Sequence, residues 1–161
     1  MNSKRRNAMK FSLACAASLL CVGTASFGVS LNSKEKNMQK CVYIVHGYDA
    51  SPKSHWFAWL KGEIEKSGAR AKILAMPTPA HPKLDEWLKT LRESVKFEGE
   101  VYLVGHSLGC PTILNFLQSS AASGAVEGVV LVSGLAKPLS DPQFKILDEF
   151  MDKGFDFERI K

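Results

Sequence analysis

The stretch VYLVGHSLGCP, residues 101–111, decides the fold of this 161-residue chain. An apolar strand-like run comes first, glycines stand on both sides of Ser107 at positions 105 and 109, and a helical run follows. In this strand–turn–helix context, the pattern G-x-S-x-G presents a serine hydroxyl at the end of a parallel strand. Gly105 and Gly109 suit the turn because it leaves no room for side chains beside the serine. The sequence therefore predicts an exposed serine hydroxyl at one edge of a parallel β-sheet.

Apolar strand-like runs alternate with amphipathic helical runs along the chain after residue 38, which is typical of a parallel sheet covered by helices on both faces. The predicted strands are 42–45, 71–75, 101–104 and 129–132, and the predicted helices are 54–67, 84–95, one from the serine turn to near Gly124, and a short one at 144–150. Right-handed crossovers place strand 101–104 beside strand 42–45, with strand 129–132 outside it. The predicted fold class is therefore α/β. Strand 129–132 would form an apolar edge, and we expect self-association through it.

Ser107 is the predicted nucleophile of an acyl-transfer reaction. The backbone N–H of Leu108 would form half of an oxyanion hole, helped by the N-terminal end of the following helix. The loop after the first strand lies at the same edge of the sheet, and Gly47 or Tyr48 is expected to supply the second N–H. His106 belongs to the turn, but strand alternation directs its side chain away from Ser107 and favours packing.

No histidine follows Ser107, although chain order in enzymes with this turn is serine, carboxylate, histidine. The histidines are His46, His55, His81 and His106. We interpret His46 as a brace for the loop after the first strand, with an improvised general base as the alternative. His55 and His81 are interpreted as solvated loop residues. No metal-ligand spacing is present, and no metal or cofactor is predicted.

Several aromatic and acidic residues are interpreted as structural. Core packing is favoured for Trp56 and Trp87, with a pocket at the top of the sheet as the alternative for Phe57 or Trp59. The aspartates after the last strand are expected on an exposed charged helix, with a triad carboxylate as the alternative; they are Asp141, Asp148, Asp152 and Asp156.

Cys41 and Cys110 are predicted to be free thiols. They lie at opposite ends of parallel strands about five residues long, at ~3.3 Å per residue. That separation exceeds the ~7 Å between Cα atoms that a disulfide allows. Cys110 is interpreted as a small packed residue.

The charge and composition narrow the classes of partner. Apolar residues make up 45% and charged residues 23% of the chain, which is typical of one globular domain. Most of the net charge of +5 comes from four basic residues before position 11, so the remainder is nearly neutral and nucleic-acid binding is not predicted.

Residues 1–38 are predicted to be a leader. A basic start, an apolar run at 11–22 and small residues at 23–26 resemble a secretory signal peptide. The apolar run is shorter than the about 20 residues that a membrane span needs. We expect export or membrane anchoring through this leader, and no other membrane contact. In the alternative, Met38 is the start and the protein is cytoplasmic. Residues 39–161 form the predicted domain.

Six linked motifs along residues 41–160 resemble the small α/β-hydrolase serine hydrolases typified by YdeN and the retinoblastoma-binding serine hydrolase. The motifs are VYIVHGY (42–48), SHWFAWL (54–60), MPTP (76–79), LDEW (84–87), GHSLGCP (105–111) and VLVSG (130–134). The resemblance implies a compact α/β-hydrolase fold without a large lid, with Ser107 as nucleophile. In that family the triad acid and histidine lie in a C-terminal stretch that has no counterpart here. We therefore expect a truncated α/β-hydrolase domain that is missing the last strands.

Two functions are predicted. The first is a serine hydrolase that attacks the carbonyl of a small-molecule ester or amide, or of a peptide, through a Ser107 acyl-enzyme. Its activity is expected to be impaired, because removing a triad member costs several powers of ten in rate. The alternative is a non-catalytic binding protein that retains the hydrolase pocket for a peptide or protein partner.

Overall fold

Parallel strands alternate with helices along the chain, as the hydrophobic pattern predicts. The computed structural model describes residues 39–119 and 125–160, so the predicted leader lies outside the described residues. The strands are β1 Lys40–Val45, β2 Arg70–Leu74, β3 Glu100–His106 and β4 Gly128–Val132. The helices are α1 Phe57–Lys66, α2 Leu84–Ser94, α3 Gly109–Gln118 and α4 Phe157–Ile160, with a 3-10 helix at Pro142–Phe150. The α/β fold class is confirmed.

The four strands form one parallel sheet in the order β2-β1-β3-β4. The predicted position of β3 beside β1, with β4 outside it, is thus confirmed. Val45 of β1 lies opposite Gly105 of β3, and Val104 of β3 lies opposite Val130 of β4. Because parallel strands end at the same edge, this register brings the loop after β1 next to the turn that contains Ser107.

The core lies on both faces of the sheet, because successive strand residues point to opposite faces. The larger cluster is built around Leu103 of β3 and Trp87 of α2, and Trp87 is fully buried. The indole N–H of Trp87 donates a hydrogen bond to the carbonyl oxygen of Pro77 at 2.8 Å. The smaller cluster, on the opposite face, contains Val104 and the fully buried Phe57. The prediction that Trp87 packs in the core is confirmed, because its side chain is fully buried. Trp56 is half-buried and packs against the smaller cluster.

The first helix begins three residues later than the sequence pattern predicts. His55 has a φ of +53°, in the left-handed region, so the segment before Phe57 cannot continue a right-handed helix. The Ser54 hydroxyl accepts a hydrogen bond from the N–H of Ser51 and helps to close a turn there. The alternative interpretation of Phe57 as a pocket residue is wrong, since its side chain is buried under α1.

Three other predictions concern helix ends, thiols and membrane spans. The third helix ends at Gln118, and Gly124 lies outside the described residues. Cys41 is half-buried and Cys110 is buried, and both are free thiols, as predicted. Within 39–119 and 125–160, no helix is long and apolar enough to cross a membrane.

Replacing Trp87 by alanine tests the larger core cluster. We expect Trp87→Ala to lower the free energy of unfolding by about 3–5 kcal/mol, because it empties a buried site and removes the hydrogen bond to Pro77. Trp59 is 65% exposed, so Trp59→Ala should change that free energy by no more than about 0.5 kcal/mol. Urea unfolding followed by circular dichroism compares the two, and equal losses would contradict this description of the core.

Candidate active site

Ser107 occupies a strained turn between β3 and α3. Its φ is +51°, which L side chains rarely adopt. The Ser107 N–H donates to the carbonyl oxygen of Val132 at 3.0 Å, and the Ser107 carbonyl accepts from the N–H of Cys110 at 3.0 Å. The first hydrogen bond attaches the turn to the end of β4, and the second attaches it to the first turn of α3. Such strain costs of order 1–3 kcal/mol and is concentrated at functional sites.

The two glycines of the turn are required by space. A Cβ atom at Gly105 would lie 3.0 Å from the backbone N and Cα of Cys110. A Cβ atom at Gly109 would clash with the carbonyl oxygen of Val45, at the end of β1. The crowding predicted around the serine is therefore present at both positions, and backbone atoms cause it, so rotamer changes cannot relieve it.

The loop after β1 lies directly against Ser107. A Cβ atom at Gly47 would lie 2.8 Å from Cβ and 3.3 Å from Oγ of Ser107. Leu108 follows the serine on the other side, as the N-cap of α3. No residue in the described part of the chain accepts a hydrogen bond from the amide N–H of Leu108 or Tyr48. This edge of the sheet therefore combines a serine hydroxyl with backbone donors that have no acceptor within 39–119 and 125–160.

His46 is fully engaged in holding that loop. It is 1% exposed, and its Nε2 accepts the N–H of Met76 at 3.1 Å. Its Nδ1 lies 2.9 Å from the carbonyl oxygen of Gly47, which makes Nδ1 the donor. Burial lowers the pKa of His46 below its usual value. The bracing role fits this geometry, whereas the alternative role as a general base does not, because neither ring nitrogen is free.

His106 packs against the start of α1. Its ring contacts those of His55, Trp56 and Phe57, with centroids separated by 5.0, 5.7 and 5.6 Å respectively. Burial, together with the nearby His55, lowers the pKa of His106. Its Nδ1 is buried without a hydrogen-bond partner among the described residues. His81 is exposed. None of the four histidines, all within the described ranges, is hydrogen-bonded to Ser107.

Cys110 does not act as a second nucleophile. Its side chain is 1% exposed, and its Sγ donates to the carbonyl oxygen of Val132 at 3.4 Å. Burial raises the pKa of the Cys110 thiol to about 11, so the thiol stays protonated at neutral pH. The interpretation as a small packed residue agrees with this burial.

Two of the four aspartates that follow β4 cap helices. Asp141 accepts the N–H of Gln143 at 3.0 Å and so caps the 3-10 helix. Asp156 accepts the N–H of Arg159 at 3.2 Å at the start of α4. Asp152 is exposed, and the buried Oδ1 of Asp148 has no hydrogen-bond partner among the described residues. No group of three or more potential metal ligands occurs in the described ranges.

Phe144 packs against Tyr48, a contact that the sequence does not predict. The two rings pack edge to face with centroids 6.3 Å apart. Glu149, on the same 3-10 helix, accepts the N–H of Leu84 at 2.9 Å and ties that helix to α2. The partners lie 65 positions apart in one contact and nearly one hundred in the other, and no local pattern indicates either.

Comparison with known protein families shows to which family this chain belongs. The model of the family described as serine hydrolase matches residues 42–158. This chain belongs to the serine hydrolase family. It is 47% identical over 124 residues to the candidate hydrolase YdeN of Bacillus subtilis (strain 168), covering 76% of this chain. The crystal structure of the B. subtilis ydeN gene product superposes with a TM-score of 0.67 at 44% identity over 76% of this chain.

The relatives are longer than this chain. It spans 64% of the length of YdeN and 65% of the chain in the YdeN crystal structure. A candidate YdeN-like hydrolase from Pectobacterium atrosepticum is more distant, at 24% identity over 65% of this chain and 60% of that one, with a TM-score of 0.46.

Substituting glycines tests the close approach of β1 to the serine turn. We expect Gly109→Ala to lower the free energy of unfolding by at least about 1–3 kcal/mol, since the new methyl group meets the Val45 carbonyl. Gly62→Ala is the matched control, because nothing lies within 4 Å of its Cβ position on α1. That change should raise the stability by up to about 1 kcal/mol through helix propensity. Chemical unfolding of both variants tests this, and a tolerated Gly109→Ala would contradict the observed crowding.

The buried His46 makes stability depend on pH. Its folded-state pKa lies below the value of about 6.5 expected in the unfolded chain, so acid favours unfolding. The contribution of neutral His46 is complete above about pH 6.5 and is lost as the pH falls from there towards the folded pKa. We expect the urea midpoint to drop between about pH 7 and pH 5. In an NMR titration, the His46 ring should show a midpoint below 6.5, and a midpoint above that value would contradict its buried, neutral state.

Proposed function

We propose that this chain supplies the nucleophile and the oxyanion-binding amides of a serine hydrolase that acts on an ester, amide or peptide carbonyl. The observation that carries the proposal is the contact of Gly47 with Ser107 at a turn where the serine has a φ of +51°. Because of this contact, the Ser107 hydroxyl lies close to backbone N–H groups that have no acceptor among the described residues. Membership of the serine hydrolase family supports the same chemistry.

In the proposed reaction, the Oγ of Ser107 attacks the carbonyl carbon of the substrate and loses its proton to a base. The carbonyl π bond opens, and its electron pair forms an oxyanion that the N–H groups of Leu108 and of Tyr48 or Gly47 stabilise. When the oxyanion collapses, the leaving group departs with a proton and an acyl ester remains on Ser107. Water then attacks this ester, releases the acid and restores the serine hydroxyl.

We propose that the 161-residue polypeptide performs this reaction slowly when it acts alone. The base is the limiting component, because His46 is hydrogen-bonded through both nitrogens and His106 packs against aromatic rings. No histidine follows Ser107 in the sequence. In enzymes of this kind, loss of a triad member leaves only about 10³–10⁴-fold acceleration over water, from the oxyanion hole and binding.

A second function is favoured by the same observation. A preorganised turn without a free base can bind a carbonyl-containing ligand and not turn it over. The edge-to-face contact of Tyr48 with Phe144 provides an apolar wall for such a ligand. In this alternative the chain is a binding protein for a peptide or protein partner.

Reaction with an activated fluorophosphonate tests the proposal. We expect labelling at Ser107 alone, at a rate at least about a hundredfold below that of an intact serine hydrolase, because no histidine among the described residues is hydrogen-bonded to the Ser107 hydroxyl. Ser107→Ala should abolish labelling. Ser133→Ala is the control, since Ser133 is also a serine with positive φ, at +50°, yet lies outside the turn.

The other outcomes separate the alternatives. Labelling at another residue would remove Ser107 as the nucleophile. A rate equal to that of intact hydrolases would overturn the proposed impairment. Absence of labelling in a cooperatively folded protein that still binds peptides saturably would favour the binding function.

A further inference from the structure

One backbone carbonyl, that of Val132 at the end of β4, accepts two hydrogen bonds from the region of the serine turn. The N–H of Ser107 donates to it at 3.0 Å, and the Sγ of Cys110 donates to it at 3.4 Å. A carbonyl oxygen has two lone pairs and can accept both donors at once. The Cys110 thiol therefore shares its acceptor with the backbone of the proposed nucleophile.

A third hydrogen bond joins Cys110 to Ser107 directly. The N–H of Cys110 donates to the carbonyl oxygen of Ser107 at 3.0 Å. The N–H and the C=O of Ser107 are thus both held, one by Val132 and the other by Cys110. These two groups set the orientation of the peptide units on either side of the serine, and so the direction of its Oγ. The serine needs such support because its φ of +51° lies in a sparsely populated region.

The side chain of Cys110 is enclosed by the segment that follows β4. It is 1% exposed. A Cβ atom at Gly134 would lie 3.0 Å from Cβ and 3.2 Å from Sγ of Cys110, which is closer than an ordinary contact. A larger side chain at position 110 would therefore have to displace this segment. Packing and the hydrogen bond to Val132 together determine where the sulfur lies.

The Cys110 thiol is a permanent donor in its hydrogen bond to Val132. Burial raises the pKa of Cys110 to about 11, so the proton stays on Sγ at neutral pH. A thiolate at this position would face the lone pairs of the carbonyl oxygen and would be repelled. The thiol thus contributes a hydrogen bond in addition to the small volume that the sequence predicts for it.

We propose that Cys110 is a positioning residue for the acyl-transfer step, and that its thiol holds the end of β4 against the first turn of α3. This inference rests on the proposed function of Ser107. Leu108 lies between the two residues that these hydrogen bonds join, so its N–H, a proposed oxyanion donor, is oriented together with the Ser107 hydroxyl. Because Cys110 is buried, it acts through these two groups and does not contact the substrate itself.

Loss of the thiol should slow bond formation at Ser107 more than it weakens the binding of a reagent. A misplaced oxyanion donor acts on the transition state, in which negative charge develops, and much less on the neutral ground state. The first-order reaction step is then slower, while the reagent concentration that half-saturates the site stays the same. A purely structural contribution of Cys110 would instead reduce the fraction of folded molecules and leave the rate of each folded molecule unchanged.

Labelling of the full chain by an activated fluorophosphonate separates these quantities. Cys110→Ala removes the donor, and the first-order labelling rate at saturating reagent should fall about three- to tenfold, as expected for one neutral hydrogen bond. The half-saturating concentration should change by less than about twofold. Cys110→Ser keeps a donor on a small side chain, so its rate should stay within about twofold of the wild type.

Two matched controls separate this hydrogen bond from general effects of substitution. Ser119→Ala removes another side-chain donor at the far end of α3, where the Ser119 hydroxyl donates to the carbonyl oxygen of Phe116 at 2.6 Å. Cys41→Ala removes the other free thiol of the described residues, on β1. Both variants should be labelled at the wild-type rate. Urea unfolding gives the folded fraction, so that each rate is expressed per folded molecule.

Hydrogen exchange gives a second measurement that needs no reaction. The amide of Ser107 should exchange about three- to tenfold faster in Cys110→Ala than in the wild type, because its acceptor is held less firmly. In Cys110→Ser and in the two controls, this amide should exchange as slowly as in the wild type.

Three results would overturn the proposal. They are a Cys110→Ala variant that is labelled at the wild-type rate, a Cys110→Ser variant that is as slow as Cys110→Ala, and a loss confined to the half-saturating concentration. If the wild type is not labelled at Ser107, the proposed function fails, and exchange of the Ser107 amide alone decides whether Cys110 positions the turn.

A measurement on the unaltered chain covers the case in which Cys110→Ala does not fold. The infrared S–H stretching band of Cys110 is identified by its loss in Cys110→Ser. A band displaced towards lower frequency supports the hydrogen bond to Val132. A band at the frequency of a free thiol overturns the proposal.

Discussion

The close approach of two backbone segments, the end of β1 and the serine turn, is the constraint on which the rest of the structure depends. Gly109 lies under the carbonyl of Val45, and Gly47 lies against the side chain of Ser107. Backbone atoms occupy the space that side chains would need, so both segments must be held by the parallel register of β1 with β3. The left-handed conformation of the serine persists because its surroundings leave it no relaxed alternative.

Strand β4 holds the serine turn in place. The carbonyl oxygen of Val132, the last residue of β4, accepts hydrogen bonds from the N–H of Ser107 and the Sγ of Cys110. The carbonyl at the end of β4 therefore fixes both the nucleophile and the first turn of α3. A change in the position of β4 would be transmitted to Ser107 directly through the first of these hydrogen bonds, which joins two backbone groups.

Local patterns predicted most of the framework. Alternating strand and helix periodicity located the four strands found among residues 39–119 and 125–160, and the handedness rule for crossovers ordered them correctly. The same rules placed the start of α1 too early, because one residue before it has a left-handed backbone conformation. The left-handed φ of His55 delays the start of α1, although the sequence around it has helical spacing. The segment predicted as a short last helix is a 3-10 helix, Pro142–Phe150, which Asp141 caps and Glu149 ties to α2.

The sequence by itself determined the class of fold, the free thiols and the serine turn with its two glycines, because each of these follows from residues that are neighbours in the chain or from strand order. Only the tertiary structure decided that His46 is held through both ring nitrogens and that Tyr48 meets Phe144. These features join residues that are far apart in the chain. Their contacts depend on how helices and strands pack, which no periodicity within a single segment records.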